Sequence, residues 1–165
     1  MNNRTLKAVA AGSVLALGLM SGAANAATAD GTARATILQQ VTVTNTSDLQ
    51  FGTVAIGTGG GSVAVATGGG RTCAATLVCS GATTAAGFSV AGATGMNVAI
   101  SVPGSVTLTE TGGASMAATL VSSATSLTLA GTAADAFSVG GTLNVGGTQA
   151  AGAYAGTFTV TVNYQ

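Results

Sequence analysis

Phe158-Thr159-Val160-Thr161-Val162-Asn163-Tyr164 is the stretch whose reading decides the fold class. Apolar side chains occupy Phe158, Val160, Val162 and Tyr164, and Thr159, Thr161 and Asn163 stand between them. Successive strand residues point to opposite faces, so this alternation offers one face to a core and the other to water. The chain ends one residue later, at Gln165.

The same period of two recurs upstream. It is present in Val41–Thr44, Ser62–Ala66, Phe88–Val90, Asn97–Val102, Ser105–Thr109, Ser126–Leu129 and Thr142–Val145. Glycine runs separate these segments: Gly57 to Gly61, Gly68-Gly69-Gly70, Gly112-Gly113, Gly140-Gly141 and Gly146-Gly147. Glycine accepts the positive φ that tight turns need, so these runs are read as turns. Pro103, the one proline, falls between two strand patterns and suits a connection. The stretch 130–136 holds good helix formers but is too short for a stable helix. Short alternating strands with glycine-rich turns predict an all-β, immunoglobulin-like antiparallel β-sandwich. The glycine clusters have no fixed period, which argues against a solenoid. None of them carries a phosphate-loop pattern ahead of a helix.

At the other end, Arg4 and Lys7 precede a short apolar run, and Ala24-Asn25-Ala26 supplies a small-x-small cleavage site. Residues 1–26 therefore read as a secretory signal peptide, the apolar run being shorter than the ~20 residues of a membrane span. Export makes the two cysteines interpretable. Cys73 and Cys79 are an even complement in an oxidising compartment, so a structural disulfide is expected. Closing that short loop is worth about 2.4 kcal/mol in the chain-entropy picture. A zinc site would want further soft ligands, and a redox pair would want two intervening residues rather than five.

Composition narrows the function. The chain has 165 residues, of which 5% are charged, with 26 glycines and no histidine. Ordinary domains carry about 25% charged residues. Without histidine and with four carboxylates, most acid–base and metal chemistry lacks its side chains. Four Lys and Arg in total are too few to neutralise a nucleic-acid backbone. The expectation is therefore no enzyme, no catalytic residue, no metal, no cofactor and no nucleic-acid partner. A serine hydrolase would lack its histidine and its G-x-S-x-G elbow.

Residues 27–38 form a second alternating stretch. Ala29, Gly31, Ala33, Ala35 and Ile37 share one face, opposite Thr28, Asp30, Thr32, Arg34 and Thr36. Twelve extended residues reach roughly 40 Å. The small face suits a tight slot better than a core of its own.

Taken together, the penultimate Tyr164, the alternating strand before it and Gly152, fourteenth from the end, resemble the C-terminal signature of chaperone–usher pilin subunits. Residues 27–38 look like the N-terminal extension such subunits donate, with Gly31 at the position that meets a shallow pocket. The stretch 41–54, the glycine run after it and the Gly152-to-Tyr164 ending resemble a wider group. These are small exported Gly/Thr/Ala-rich proteobacterial proteins with a domain of formally unknown function, akin to pilin and spore-coat-U-type domains. The close spacing of Cys73 and Cys79 departs from the commonest pilins and predicts a locally pinned loop.

The resemblance implies a sandwich over residues 39–165 that is incomplete and is completed by a donated strand. It implies a fimbrial, adhesive surface filament, with the subunit passing through the periplasm. The implied partners are neighbouring identical or related subunits, a periplasmic chaperone and an outer-membrane usher. Ala29, Gly31, Ala33, Ala35 and Ile37 are then the donor face. Gly152, Phe158, Val160, Val162 and Tyr164 are the groove edge that the chaperone meets. The competing readings are a self-contained exported β-sandwich coat protein and a Thr-lined surface for ice or polysaccharide.

Overall fold

The computed structural model describes residues 26–131 and 135–165. The signal-peptide reading rests on residues of which 1–25 lie outside the described ones. The chain divides into two units, Met1–Ala35 and Thr36–Gln165. In the first, residues 26–35 are exposed and form no strand.

The second unit is built from antiparallel strands in curled sheets, an all-β, sandwich-like fold, and no helix occurs among the described residues. One layer is a seven-stranded sheet. It contains β1 (Thr42–Ser47), β3 (Gly61–Val65), β4 (Arg71–Cys73), β6 (Ala86–Ala91), β8 (Ser105–Thr109), β9 (Ser115–Ser122) and β11 (Ala136–Val145). Facing it are two separate ribbons. The three-stranded one has the order β10 (Ser126–Thr128), β7 (Asn97–Ser101), β12 (Thr161–Tyr164). The two-stranded one pairs β2 (Thr53–Ile56) with β5 (Leu77–Ser80).

β11 organises the large sheet. Along one edge its residues Val139–Leu143 pair β9. Along the other edge it pairs β6 over Ala136–Val139 and then β3 over Gly141–Val145. Gly140-Gly141 sits at this change of partner, inside the strand rather than in the turn that the glycine pair suggested. The reason is close approach. A Cβ on Gly140 would collide with the Val65 carbonyl, and one on Gly141 would stand 2.7 Å from the Thr119 carbonyl oxygen. Gly69 and Gly113, by contrast, have φ of 85° and 93° and do make turns.

The core is in two parts, one under each ribbon. The first joins Phe88 and Val90 of β6, Phe137 and Val139 of β11, Val98 and Ile100 of β7, and Val162 of β12. Phe88 stacks on Phe137 with ring centroids 5.2 Å apart and takes Phe158 edge-on at 6.2 Å. The second joins Phe51, Val63, Val65, Leu77, Ala118, Leu143 and Val145. Val63, Val98, Val139 and Leu129 are fully buried. Each such side chain is worth about 1.5–3 kcal/mol relative to exposure.

Most expected strands are present. β2, β4, β5 and β9 were not anticipated, since β2, β4 and β5 are short and β9 starts with small residues. The last strand is shorter than its alternation. Phe158 and Val160 point inward as the pattern requires, but a hydrogen-bonded ladder forms only over Thr161–Tyr164, against β7. Ahead of it, Ala155 exchanges both backbone hydrogen bonds with Thr109 of β8. The C-terminal segment thus lies antiparallel to β8 and then β7, passing from one layer to the other. Between those two partners stands Pro103, which has no N–H to donate. The ladder is interrupted beside that corner.

Candidate functional site

Over the large sheet, between the two-stranded ribbon and the segment that leads into β12, a groove with an apolar floor opens. Two connected hollows of about 680 and 950 Å³ share Leu49, Gln50, Phe51, Leu108 and Tyr154. Inward side chains of three sheet strands, Leu108, Met116 and Leu143, supply the floor. Alternation puts them there, because each lies on the core-facing half of its strand.

One wall is the stretch from Asp48 to Ile56. Gln50 exchanges hydrogen bonds with Thr84, and β2 is paired with β5 along one edge only. Its residues line the groove and its other backbone edge is unpaired among the described strands, the arrangement that accepts an added strand. Two devices hold this wall to the large sheet. The disulfide Cys73–Cys79 joins β4 of the large sheet to β5 of the ribbon. Arg71 on β4 donates from Nη1 to the Ser80 and Gly81 carbonyls at 2.9 and 3.0 Å. Its Nη2 donates to the Cys79 carbonyl at 3.4 Å. The expected bridge is therefore formed, and it fits an oxidising compartment. It does more than pin a local loop, since its two cysteines belong to different sheets.

The opposite wall runs from Gln149 to Phe158. Tyr154 donates to the Ala150 carbonyl at 2.8 Å, and Gln149 Nε2 donates to the Tyr154 hydroxyl at 2.8 Å and the Ser115 carbonyl at 3.2 Å. This network folds the wall onto itself and onto β9. Gly152 packs directly on Glu110, leaving no room for a side chain.

The anticipated groove edge divides. Gly152 and Phe158 line the groove. Val160, Val162 and Tyr164 lie outside it, on the part of the segment that packs into the first core. Val162 is buried and Tyr164 is half-buried. The Tyr164 hydroxyl accepts from the Ala93 N–H and donates to the Gln39 carbonyl, both at 2.7 Å. The anticipated donor residues Ala29, Gly31, Ala33, Ala35 and Ile37 are all exposed and outside any strand. Ile37 is 95% exposed, an unusual state for so large an apolar side chain.

Sequence reasoning missed Leu49, Phe51, Leu108, Met116 and Leu143 as a set. The alternation of Val106 and Leu108 marks them as inward-facing, but nothing local says that their cover is incomplete.

The family comparison bears on this arrangement as a whole. A family described as Domain of unknown function (DUF4402) matches residues 41–164, from the start of β1 to the end of β12. The chain belongs to the DUF4402 family. No curated protein and no solved structure gives a significant match. Both walls and the floor of the groove lie inside the DUF4402 match, while the exposed stretch before Gln40 lies outside it.

Proposed function

We propose that this DUF4402 chain is a structural subunit of an exported surface filament. Each copy donates its 27–38 segment to the groove of the next. A periplasmic chaperone holds the groove in transit and an outer-membrane usher passes the subunits on. The observation that carries this reading is the pairing of two unfinished features. The groove has an apolar floor and a singly paired strand in its wall, and the chain also owns an exposed alternating segment ending in Ile37.

A singly paired strand over apolar surface is an aggregation hazard unless something covers it. An extended peptide covers it best, supplying main-chain hydrogen bonds along the edge and side chains to alternate pockets. Repetition of such a head-to-tail contact without closure gives a filament. The low charge of the chain favours the same outcome by removing repulsion between copies.

The test is deletion of residues 27–38 from the exported chain. SDS-resistant multimers that collapse on boiling are expected from the parent and not from the deletion, which stays folded and monomeric. Multimers unchanged by the deletion overturn the reading. The second reading, a self-contained exported coat protein, draws on the pairing of β12 with β7 within the same chain. Under it the parent itself runs as a monomer.

A further inference from the structure

We propose that an ion pair between Arg34 of the donating copy and Asp48 of the accepting copy sets the register of the donated strand. The proposal rests on the strand-donation reading above and adds to it a specific contact.

The need for such a contact follows from the donor's sequence. Ala29, Gly31, Ala33 and Ala35 are nearly interchangeable at a spacing of two. Strands of this kind slip easily by two residues, because the shifted register presents almost the same face. Ile37 alone gives a size difference. A register-specific polar contact on the other face would remove the remaining freedom.

The supply of charge in the chain is small enough to trace residue by residue. Beyond residue 26 there are six charged side chains: Asp30, Arg34, Asp48, Arg71, Glu110 and Asp135. Arg71 is committed to the carbonyls of Cys79, Ser80 and Gly81. Asp135 is buried and accepts from the backbone N–H groups of Ala130 and Gly131. Glu110 is half-buried and packed on Gly112 and Gly152. Asp48 is different. It lines the groove, is exposed and has no side-chain hydrogen bond or ion pair within its own copy. Among the described residues, the one cation in the same condition is Arg34, exposed on the polar face of the donor segment.

The chemistry suits the pair. A guanidinium is always charged and meets a carboxylate with two parallel N–H donors, so orientation as well as distance is specified. Opposite charges across an interface select register because the shifted alternative leaves them unpaired or sets like charges together. Here the shifted registers offer Thr32 or Thr36 to Asp48, and a shift by four offers Asp30.

The experiment uses the exported full chain with R34D, D48R and the double variant R34D/D48R, scored by SDS-resistant multimers. Each single reversal is expected to lower multimer yield about 5- to 20-fold, as like charges replace the pair. The double variant is expected to recover to within about twofold, and co-expressed single variants are expected to join each other. R34C with D48C should add a cross-link between copies that appears only in multimers. Single reversals that leave multimers intact, while deletion of 27–38 abolishes them, overturn the ion pair and leave strand donation standing. Multimers that survive the deletion overturn both. The R34D arm reports even if D48R lowers folding yield, because Arg34 lies in an exposed segment outside the strands.

Discussion

The Tyr164 hydroxyl donates a 2.7 Å hydrogen bond to the carbonyl of Gln39, 125 residues earlier. It also accepts from the Ala93 N–H, and it fits only because Gly92 has no side chain. A Cβ on Gly92 would stand 2.5 Å from that hydroxyl and 2.9 Å from Leu129 Cδ1. The contact ties the end of β12 to the point where the exposed N-terminal segment leaves the sandwich. Tyr164→Phe keeps the ring and removes both bonds, so it should cost about 1–3 kcal/mol in urea unfolding. Gly92→Ala should cost a similar amount through overpacking. The two changes compete for one space, so the double variant is expected to lose less than the sum. A purely additive result contradicts this account.

The wall of the groove is held by a covalent and a polar clasp acting on the same ribbon. Replacing Cys73 and Cys79 by alanine should cost about 2.4 kcal/mol from loop entropy. Arg71→Ala removes the donors to three consecutive carbonyls, and Arg71→Lys restores the charge without the fork. Arg71→Lys is therefore expected to recover less than half of the loss. Hydrogen exchange at β2 and β5 should quicken in each variant before that of β7 and β12 does. Equal acceleration in both ribbons would show that the clasp is not local.

Gly140 and Gly70 offer a controlled contrast. Both are glycines without positive φ, but a Cβ on Gly140 meets the backbone of Val65, Ala66 and Thr67, whereas nothing lies within 4 Å at Gly70. Backbone cannot rotate away as a side chain can. Gly140→Ala should cost more than about 3 kcal/mol, and Gly70→Ala should lie within about 0.5 kcal/mol of the parent. Thermal unfolding of the two variants side by side checks this.

These cases mark what was legible in the sequence. The inward faces of β3, β6, β7, β8 and β12 follow from period two, because burial on one face leaves a mark on every second residue. Gly140-Gly141 misled for a physical reason: glycine serves turns and close backbone approach alike, and only the pairing of β11 with three other strands distinguishes them. The interruption at Phe158–Val160 was equally hidden, since it lies where the segment changes partner from β8 to β7, strands far from it in the sequence. Of the groove, the sequence displayed the Gly152 and Phe158 wall and the exposed segment. The floor was not legible, because it depends on the cover left incomplete between the β2–β5 ribbon and the segment ahead of β12, a property of the assembled layers rather than of any one strand. Arg71 gave no local sign either, as its partners, the carbonyls of Cys79 to Gly81, belong to the end of β5 and the residue after it, in a different sheet from β4.

Ile37 separates the monomer from the assembly most cleanly. At 95% exposure it buries nothing in its own copy, so Ile37→Asp should leave the unfolding free energy of the monomer within about 0.5 kcal/mol. If it enters a neighbour's groove, the same side chain gains about 1.5–3 kcal/mol there, which corresponds to a 10- to 200-fold change in the binding constant. Ile37→Asp is therefore expected to abolish SDS-resistant multimers while sparing the fold, and Ile37→Val to weaken them only a few-fold. Leu143→Ala is the opposite case. Leu143 is buried in the groove floor, so its truncation should cost about 2–5 kcal/mol in the monomer as well. Multimers that tolerate Ile37→Asp would mean that this side chain is not what the groove receives.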